Sequence, residues 1–178
     1  MKQLALHEQH TALGAKMGAF AGFDMPLTYK GVKSEHLCVR EHVGVFDVSH
    51  MGEFMVSGDT ARDLLQYSTS NNVAALAVGD AQYCYMPNEN GGVVDDLLIY
   101  RIEENRYMLV VNASNIDKDW RWFNEQNKAF GATLTNVSDD YTLLAVQGPK
   151  AHNLISALSE VDTASQKGFT IVQTTVAG

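Results

Sequence analysis

Apolar residues in this chain follow two kinds of spacing, which predict helices mixed irregularly with strands. Between about residues 113 and 130, apolar and aromatic side chains recur at helical spacing, at Ile116, Trp120, Phe123 and Phe130. Further helices are predicted over about residues 4–13, 32–42, 60–68 and 149–159, and strands over about 45–48, 53–56, 81–86, 93–102, 106–112, 133–137, 142–147 and 169–176. This order favours an α+β fold, with mixed or antiparallel sheets and flanking helices, over a doubly wound parallel sheet.

Composition and charge limit the cellular compartments and the binding partners that we expect for this protein. The 178 residues are 46% hydrophobic and 19% charged, a mixture typical of a globular chain. No apolar run reaches about 18 residues, and the start MKQLALHEQH turns polar too early for a signal peptide. The net charge of −8 disfavours nucleic acid and anionic membranes as partners. Because Cys38 and Cys84 form no CxxC pattern, we expect reduced thiols in the cytoplasm or an equivalent such as the mitochondrial matrix.

Two adjacent aspartates interrupt the most apolar predicted strand. Asp95 and Asp96 lie in the run Val93–Tyr100, directly after the turn formed by Asn88–Gly92. Aspartate is depleted in strands, and a buried carboxylate is costly without a partner, so this violation is typical of a functional site. The alternative is that both carboxylates accept backbone N–H bonds and only stabilise the turn. The pattern by itself leaves both interpretations open.

The alternation of side chains in a strand places Asp96 on a face with Leu98 and Tyr100. A three-residue loop over 103–105, with Asn105 in the left-handed conformation, would pair Ile102 with Arg106. The same register sets Tyr100 opposite Met108, Leu98 opposite Val110, and Asp96 opposite Asn112. An acid and an amide on an apolar and aromatic platform suit a flat heteroaromatic ligand. A slip of one residue would destroy the grouping.

Histidines offer weaker candidate sites. His50 lies in a predicted bend after Asp47, where it could act as a base or a ligand, or could be a hydrogen-bonded structural residue. The pairs His7/His10 and His36/His42 have spacings that could bind a metal, but no cysteine or acidic residue completes a set. We therefore expect no metal site. The GxGxxG and GxxxxGK[ST] phosphate-binding patterns are both missing from the sequence.

Six segments, in order along nearly the whole chain, resemble the aminomethyltransferase, or T-protein, family of the glycine cleavage system. No single segment is decisive, but together they are highly specific. They are Leu13–Met17, Ala21–Leu27, Phe46–Glu53, Asn88–Leu97, Val110–Ala113 with Lys118-Asp119, and Gln147–Ala151. The resemblance implies the folate-binding domain of that family, which has ferredoxin-like elements. Within 1–178 we expect one subdomain from 1–50 plus about 142–178, and a second from about 51–141.

The resemblance also implies an activity. Proteins of the family take an aminomethyl group from the lipoyl arm of the H-protein and pass its carbon to tetrahydrofolate, releasing ammonia and forming 5,10-methylenetetrahydrofolate. It implies Asp96 as the catalytic residue, acting at the N5/N10 edge of the folate. The other positions that match the folate pocket are Met51, Tyr83, Leu98, Tyr100, Val110 and Asn112. A carboxylate shielded from water can hold or release a proton near neutrality, so this chemistry needs no metal.

The sequence departs from the family in one respect. A stretch resembling SRTGYTGEDGFE, with a folate-binding glutamate, is missing, and so is the C-terminal barrel domain with arginines near the carrier arm. We therefore expect residues 1–178 alone to be inactive and to bind folate weakly. Alternative interpretations are a non-catalytic folate-binding protein of the same fold, linked to iron–sulfur protein maintenance, a folate-dependent demethylase, and a purely structural domain.

Overall fold

The computed structural model describes all residues from 1 to 178. Its strands are β1 (Lys2–Gln3), β2 (Lys16–Phe20), β3 (Phe23–Thr28), β4 (Gly44–Asp47), β5 (Gly52–Ser57), β6 (Ala81–Pro87), β7 (Val93–Glu103), β8 (Arg106–Val111), β9 (Thr133–Asn136) and β10 (Leu144–Gln147). Its helices are α1 (His7–Ala12), α2 (Val32–Glu41), α3 (Ala61–Ser68), α4 (Ile116–Asn127) and α5 (Ala151–Leu158). The expected α+β class is therefore confirmed. No helix is long and apolar enough to span a bilayer.

The chain forms two compact units. The first unit comprises residues 1–50, 142–166 and 173–178, and the second comprises 51–141 and 167–172. In the first unit, β1 pairs in parallel with β3 and β2 pairs antiparallel with it, while β4 and β10 form a separate antiparallel pair. The apolar strand β4 ends at the buried Asp47.

The second unit is built on a five-stranded antiparallel sheet with the strand order β6-β7-β8-β5-β9. One face of this sheet forms the core with α3 and α4. The buried core residues include Phe54, Leu65, Ile99, Leu109 and Phe123. In β7, Leu97 and Ile99 are buried in this core, so Leu98 and Tyr100 lie on the opposite face.

The β7–β8 hairpin has a shorter turn than expected. Glu103 pairs with Arg106 across Glu104 and Asn105, so the predicted three-residue loop and the Ile102–Arg106 pair are wrong. Asn105 is not among the residues with positive φ, so the expected left-handed conformation is also wrong. A bulge between Arg101 and Glu103 adds one residue to β7 and offsets the shorter turn. The expected pairs Tyr100–Met108 and Leu98–Val110 are therefore present.

The strand expected over 169–176 does not form. Phe169 has a positive φ of 59°, which interrupts an extended run, and the region contains only two isolated bridges, Asp80–Thr170 and Ser159–Val176. The backbone of 167–172 bonds within the second unit, since Ala81 N donates to Phe169 O and Ile171 N donates to Gly79 O, both at 2.8 Å. The expectation that all of 142–178 belongs with 1–50 is therefore wrong for 167–172.

Close packing at the first residue of β5 predicts a stability defect for Gly52→Ala. A Cβ at this position would lie 2.7 Å from Ile116 Cγ1 and 2.8 Å from Val111 Cγ2. Since both neighbours are branched side chains, we expect a loss of about 1–3 kcal/mol in the free energy of unfolding, measured in urea. Gly168→Ala is the control, because nothing lies within 4 Å of its Cβ position. Equal stability of the two variants would contradict this packing.

Candidate active site

Asp96 and Asn112 meet at one end of the β7–β8 pair. Asn112 directly follows β8, and its side-chain amide Nδ2 donates to Asp96 Oδ1 at 2.8 Å. The same nitrogen lies 3.1 Å from Asp95 Oδ1 and 3.2 Å from the Asp96 carbonyl oxygen. One amide group thus contacts both aspartates that interrupt the strand. The structure brings together the acid and the amide that the strand register placed side by side.

The second oxygen of Asp96 is bonded to a tyrosine from the neighbouring strand. The Tyr83 hydroxyl, on β6, donates to Asp96 Oδ2. This hydrogen bond is the main reason that the pKa of Tyr83 is raised, because the phenol would lose the bond on deprotonation. Asp96 is therefore oriented at both oxygens, one by a phenol and one by an amide. Strand periodicity did not single out Tyr83, which the family resemblance named as a pocket residue, and neither predicted its bond to Asp96.

Cross-strand pairing extends the site along one face of the sheet. Directly opposite residues share a face in an antiparallel sheet. Tyr83 pairs with Leu98, Leu98 with Val110, and Val110 with Glu53, which gives one row across four strands. The adjacent row contains Tyr100 and Met108. Of the expected folate-binding residues, all but Met51 thus lie on this face or at its end. Met51 immediately precedes β5 and is outside the paired residues.

Glu53 is a member of this face that the sequence analysis missed. Its side chain is 2% exposed, and its Oε2 has no hydrogen-bond partner. Burial raises the pKa of Glu53 from 4.5 to about 7, so a large share of the population is protonated at neutral pH. Phe54 and Val56 of β5 lie in the core. Because side chains alternate along a strand, Glu53 lies on the opposite face of the sheet, the face that contains Asp96.

Asp47 and His50 form a separate arrangement in the first unit. Asp47 accepts hydrogen bonds from the His10 ring at 2.8 Å and from Ser49 N at 3.0 Å. Burial opposes ionisation of Asp47, but these bonds outweigh it and lower its pKa. Burial lowers the pKa of His50, whose ring packs edge-on against Phe20 and Phe23. These contacts describe a hydrogen-bonded and packed bend, and they bring no second catalytic group to His50.

A cavity in the first unit lacks the features of the Asp96 site, and no cluster of side chains is placed to bind a metal ion. A cavity of about 460 Å³ in the first unit is lined by residues that include Tyr29, Cys38 and Phe46, and it contains no member of the Asp96 cluster. No group of three or more His, Cys, Asp and Glu side chains is placed to hold a metal ion. The acid–amide–phenol cluster on the sheet of the second unit is therefore the candidate active site.

The GCVT N-terminal domain family model matches residues 6–178. The chain belongs to this family. An aminomethyltransferase from Bacteroides thetaiotaomicron is 52% identical over all 178 residues, which cover 49% of that protein. One from Flavobacterium psychrophilum is 54% identical over 162 residues, covering 91% of this chain and 45% of the relative. The chain thus spans about half the length of the curated relatives it matches, and the resemblance drawn from its motifs is confirmed.

One solved structure agrees with the family assignment, and a second shares the fold. The crystal structure of the glycine cleavage system aminomethyltransferase T from Bartonella henselae superposes with a TM-score of 0.88 at 38% identity, covering 95% of this chain and 46% of that one. A heterotetrameric sarcosine oxidase from Corynebacterium superposes with a TM-score of 0.61 at 13% identity, covering 98% of this chain and 76% of that one. At that identity the second likeness shows the fold alone.

The raised pKa of Glu53 predicts a pH-dependent gain in stability for Glu53→Gln. The folded wild type retains a proton that the unfolded chain releases, so its stability falls as pH rises from about 4.5 to about 7. Glutamine has no such proton, and we expect the variant to gain about 2–3 kcal/mol relative to wild type between pH 4.5 and 8. Urea unfolding at several pH values measures the difference. Glu89→Gln is the control, because Glu89 is exposed. If the free energies of unfolding of Glu53→Gln and wild type differ by the same amount at every pH, the pKa of Glu53 is not raised by burial.

Proposed function

We propose that this chain is the folate-binding part of a glycine cleavage aminomethyltransferase. The enzyme would transfer an aminomethyl carbon from the lipoyl arm of the H-protein to tetrahydrofolate, with release of ammonia and formation of 5,10-methylenetetrahydrofolate. The observation that carries the proposal is the Asp96 carboxylate, bonded at one oxygen by Tyr83 and at the other by Asn112 on an apolar sheet face. The names of the relatives support the same reaction.

The sheet face suits a bicyclic heteroaromatic ring. The half-buried Leu98 and Met108 offer apolar contact area around the buried Val110, and the exposed Tyr83 and half-buried Tyr100 offer aromatic contact area beside them. Asp96 provides a carboxylate at one end of this platform, where it can accept an N–H bond from the ring system. Tyr100 is a neutral phenol at pH 7, because the ordinary tyrosine pKa is 10.0 and burial raises the pKa of this residue further. A flat ligand with N–H groups along one edge fits these residues better than a phosphate or a sugar.

Asp96 is proposed to move the protons that the reaction requires. Forming two carbon–nitrogen bonds on tetrahydrofolate releases two protons from its nitrogens. One proton is taken up as ammonia leaves, and the other ends on the lipoyl sulfur as the carbon–sulfur bond breaks. The Asp96 carboxylate can accept a proton from a folate nitrogen and return it to a leaving group. Tyr83 and Asn112 fix the orientation of the Asp96 carboxylate, so that it is already positioned for proton transfer when the substrates bind.

Asp96→Asn tests the catalytic role. The amide keeps the shape of the side chain but cannot accept and return a proton, so we expect turnover to fall by roughly 10²-fold or more. Binding of tetrahydrofolate, measured by calorimetry, should change by less than about threefold because the apolar platform is unchanged. The assay uses lipoylated H-protein and a whole aminomethyltransferase in which residues 1–178 have this sequence.

The matched control for this variant is Asp63→Asn, an exposed aspartate on α3 in the same unit. Near-normal turnover of Asp96→Asn would contradict the proposed mechanism. Normal folate binding without any turnover in the wild type would favour a non-catalytic folate-binding protein instead.

Tyr83→Phe tests the orientation of Asp96. Loss of the hydroxyl removes the donor to Asp96 Oδ2 and leaves the aromatic ring in place. We expect kcat to fall by about tenfold, while KM for tetrahydrofolate changes by less than about threefold. Tyr67→Phe is the control, since Tyr67 is an exposed tyrosine on α3, away from the sheet face that contains Asp96. Equal kinetics of the two variants would show that the Tyr83 hydroxyl has no such role.

A further inference from the structure

Asp119 is a buried acid for which the proposed reaction has no use. It belongs to the segment Lys118-Asp119 that carries the family resemblance, and it lies on the inner side of α4. Its side chain is 0% exposed, and neither of its oxygens has an N–H or hydroxyl partner. An isolated ionised carboxylate in such a place is costly, so the group needs either a donor or a proton of its own.

The neighbour of Asp119 is the Asp95 carboxyl, whose Oδ2 is likewise buried without an N–H or hydroxyl partner. The two carboxyl groups are thus placed to share a hydrogen bond. Two carboxyl groups can share such a bond only if one of them carries a proton. Burial, the hydrogen bond and the charge of Asp95 raise the pKa of Asp119 from 3.8 to about 8. For Asp95, burial is outweighed by bonds from Asp119, Asn115 and Asn112, which lower its pKa. Asp119 is thus the acid that holds the proton.

The Asn112 amide connects this acid pair to the candidate active site. Its Nδ2 lies 3.1 Å from Asp95 Oδ1 and 2.8 Å from Asp96 Oδ1. An amide nitrogen has two hydrogens, so the position of Asp95 determines how they are divided between the two aspartates. The connection runs from α4 through β7 to the residue after β8, and every member lies in the second unit.

We propose that Asp119 is a positioning residue for Asp96, which donates its carboxyl proton to Asp95 and thereby holds the Asn112 amide in the orientation that fixes Asp96. The inference rests on the proposed function, because orientation of Asp96 matters only if this residue is catalytic. When Asp119 loses its proton, its buried carboxylate faces the half-buried Asp95 carboxylate with no proton between them. Their repulsion displaces Asp95 and removes the constraint on Asn112.

The charged groups around Asp119 come from two elements. Asp95 and Asp96, on β7, favour its protonated form, and Lys118, next to it on α4, opposes them. Lys118 Nζ is itself bonded to the Val94 carbonyl at 2.6 Å. The balance favours the neutral acid at pH 7 and its ionisation above about pH 8.

Two substitutions at Asp119 distinguish a role in positioning Asp96 from a role in packing alone. In Asp119→Asn, an amide hydrogen replaces the carboxyl proton and is not lost at high pH. We expect kcat at pH 7 within about threefold of wild type, and loss of the decline in kcat that the wild type shows above about pH 8. In Asp119→Leu no donor remains, and we expect kcat to fall about tenfold or more at every pH, with KM for tetrahydrofolate changed by less than about threefold.

The assay uses the whole aminomethyltransferase carrying this sequence, with Asp117→Asn as the control for charge on the exposed side of α4. The proposal would be overturned if kcat of Asp119→Asn still declined above pH 8. It would also be overturned by a normal kcat in a folded Asp119→Leu protein. If Asp119→Leu does not fold, the pH profile of Asp119→Asn still decides. Failure of the proposed function would instead be seen as no turnover by the wild type.

Discussion

The hydrogen-bonded register between β7 and β8 brings the two halves of the candidate active site together. Asp96 and Asn112 are 16 residues apart in sequence, and they meet because Leu98 pairs with Val110 and Tyr100 with Met108. Side chains alternate along a strand, so a slip of one residue would turn Leu98 into the core and Leu97 out of it. The buried Leu97 and Ile99 make that slip unfavourable. Core packing on one face of the sheet therefore sets the geometry of the opposite face.

Three buried or half-buried acids accompany this geometry, and each has a different environment. Asp95 is stabilised as an anion by donors from its neighbours, whereas Asp119 beside it is stabilised as a neutral acid. Glu53, in the row that contains Val110 and Leu98, has a pKa raised by burial alone. A carboxylate that is costly to bury gives no stability, and this fold retains three of them in the strands and helix around Asp96, which is consistent with selection for chemistry there.

The sequence predicted the site face better than it predicted the chain ends and turns. Alternation in Val93–Tyr100 was sufficient for the register, even though the loop after it was wrong, because the bulge at Arg101–Glu103 restored the pairing. No sequence rule locates such a bulge, and none indicates that Phe169 adopts a positive φ. Asp119 could have been found, since it follows Ile116 by three residues and precedes Phe123 by four, on the buried stripe of α4. The Tyr83 bond required knowledge of which strand lies beside β7.

In the proposed mechanism, tetrahydrofolate binds on this sheet face with its reactive nitrogens at Asp96. A crystal structure of the whole protein with bound tetrahydrofolate tests this placement. The ring is expected to lie over Leu98 and Val110, with a ring or bridge nitrogen within about 3.5 Å of an Asp96 carboxylate oxygen. A ring bound elsewhere, such as in the cavity of the first unit beside Tyr29 and Phe46, with Asp96 in contact with no part of the folate, would contradict it.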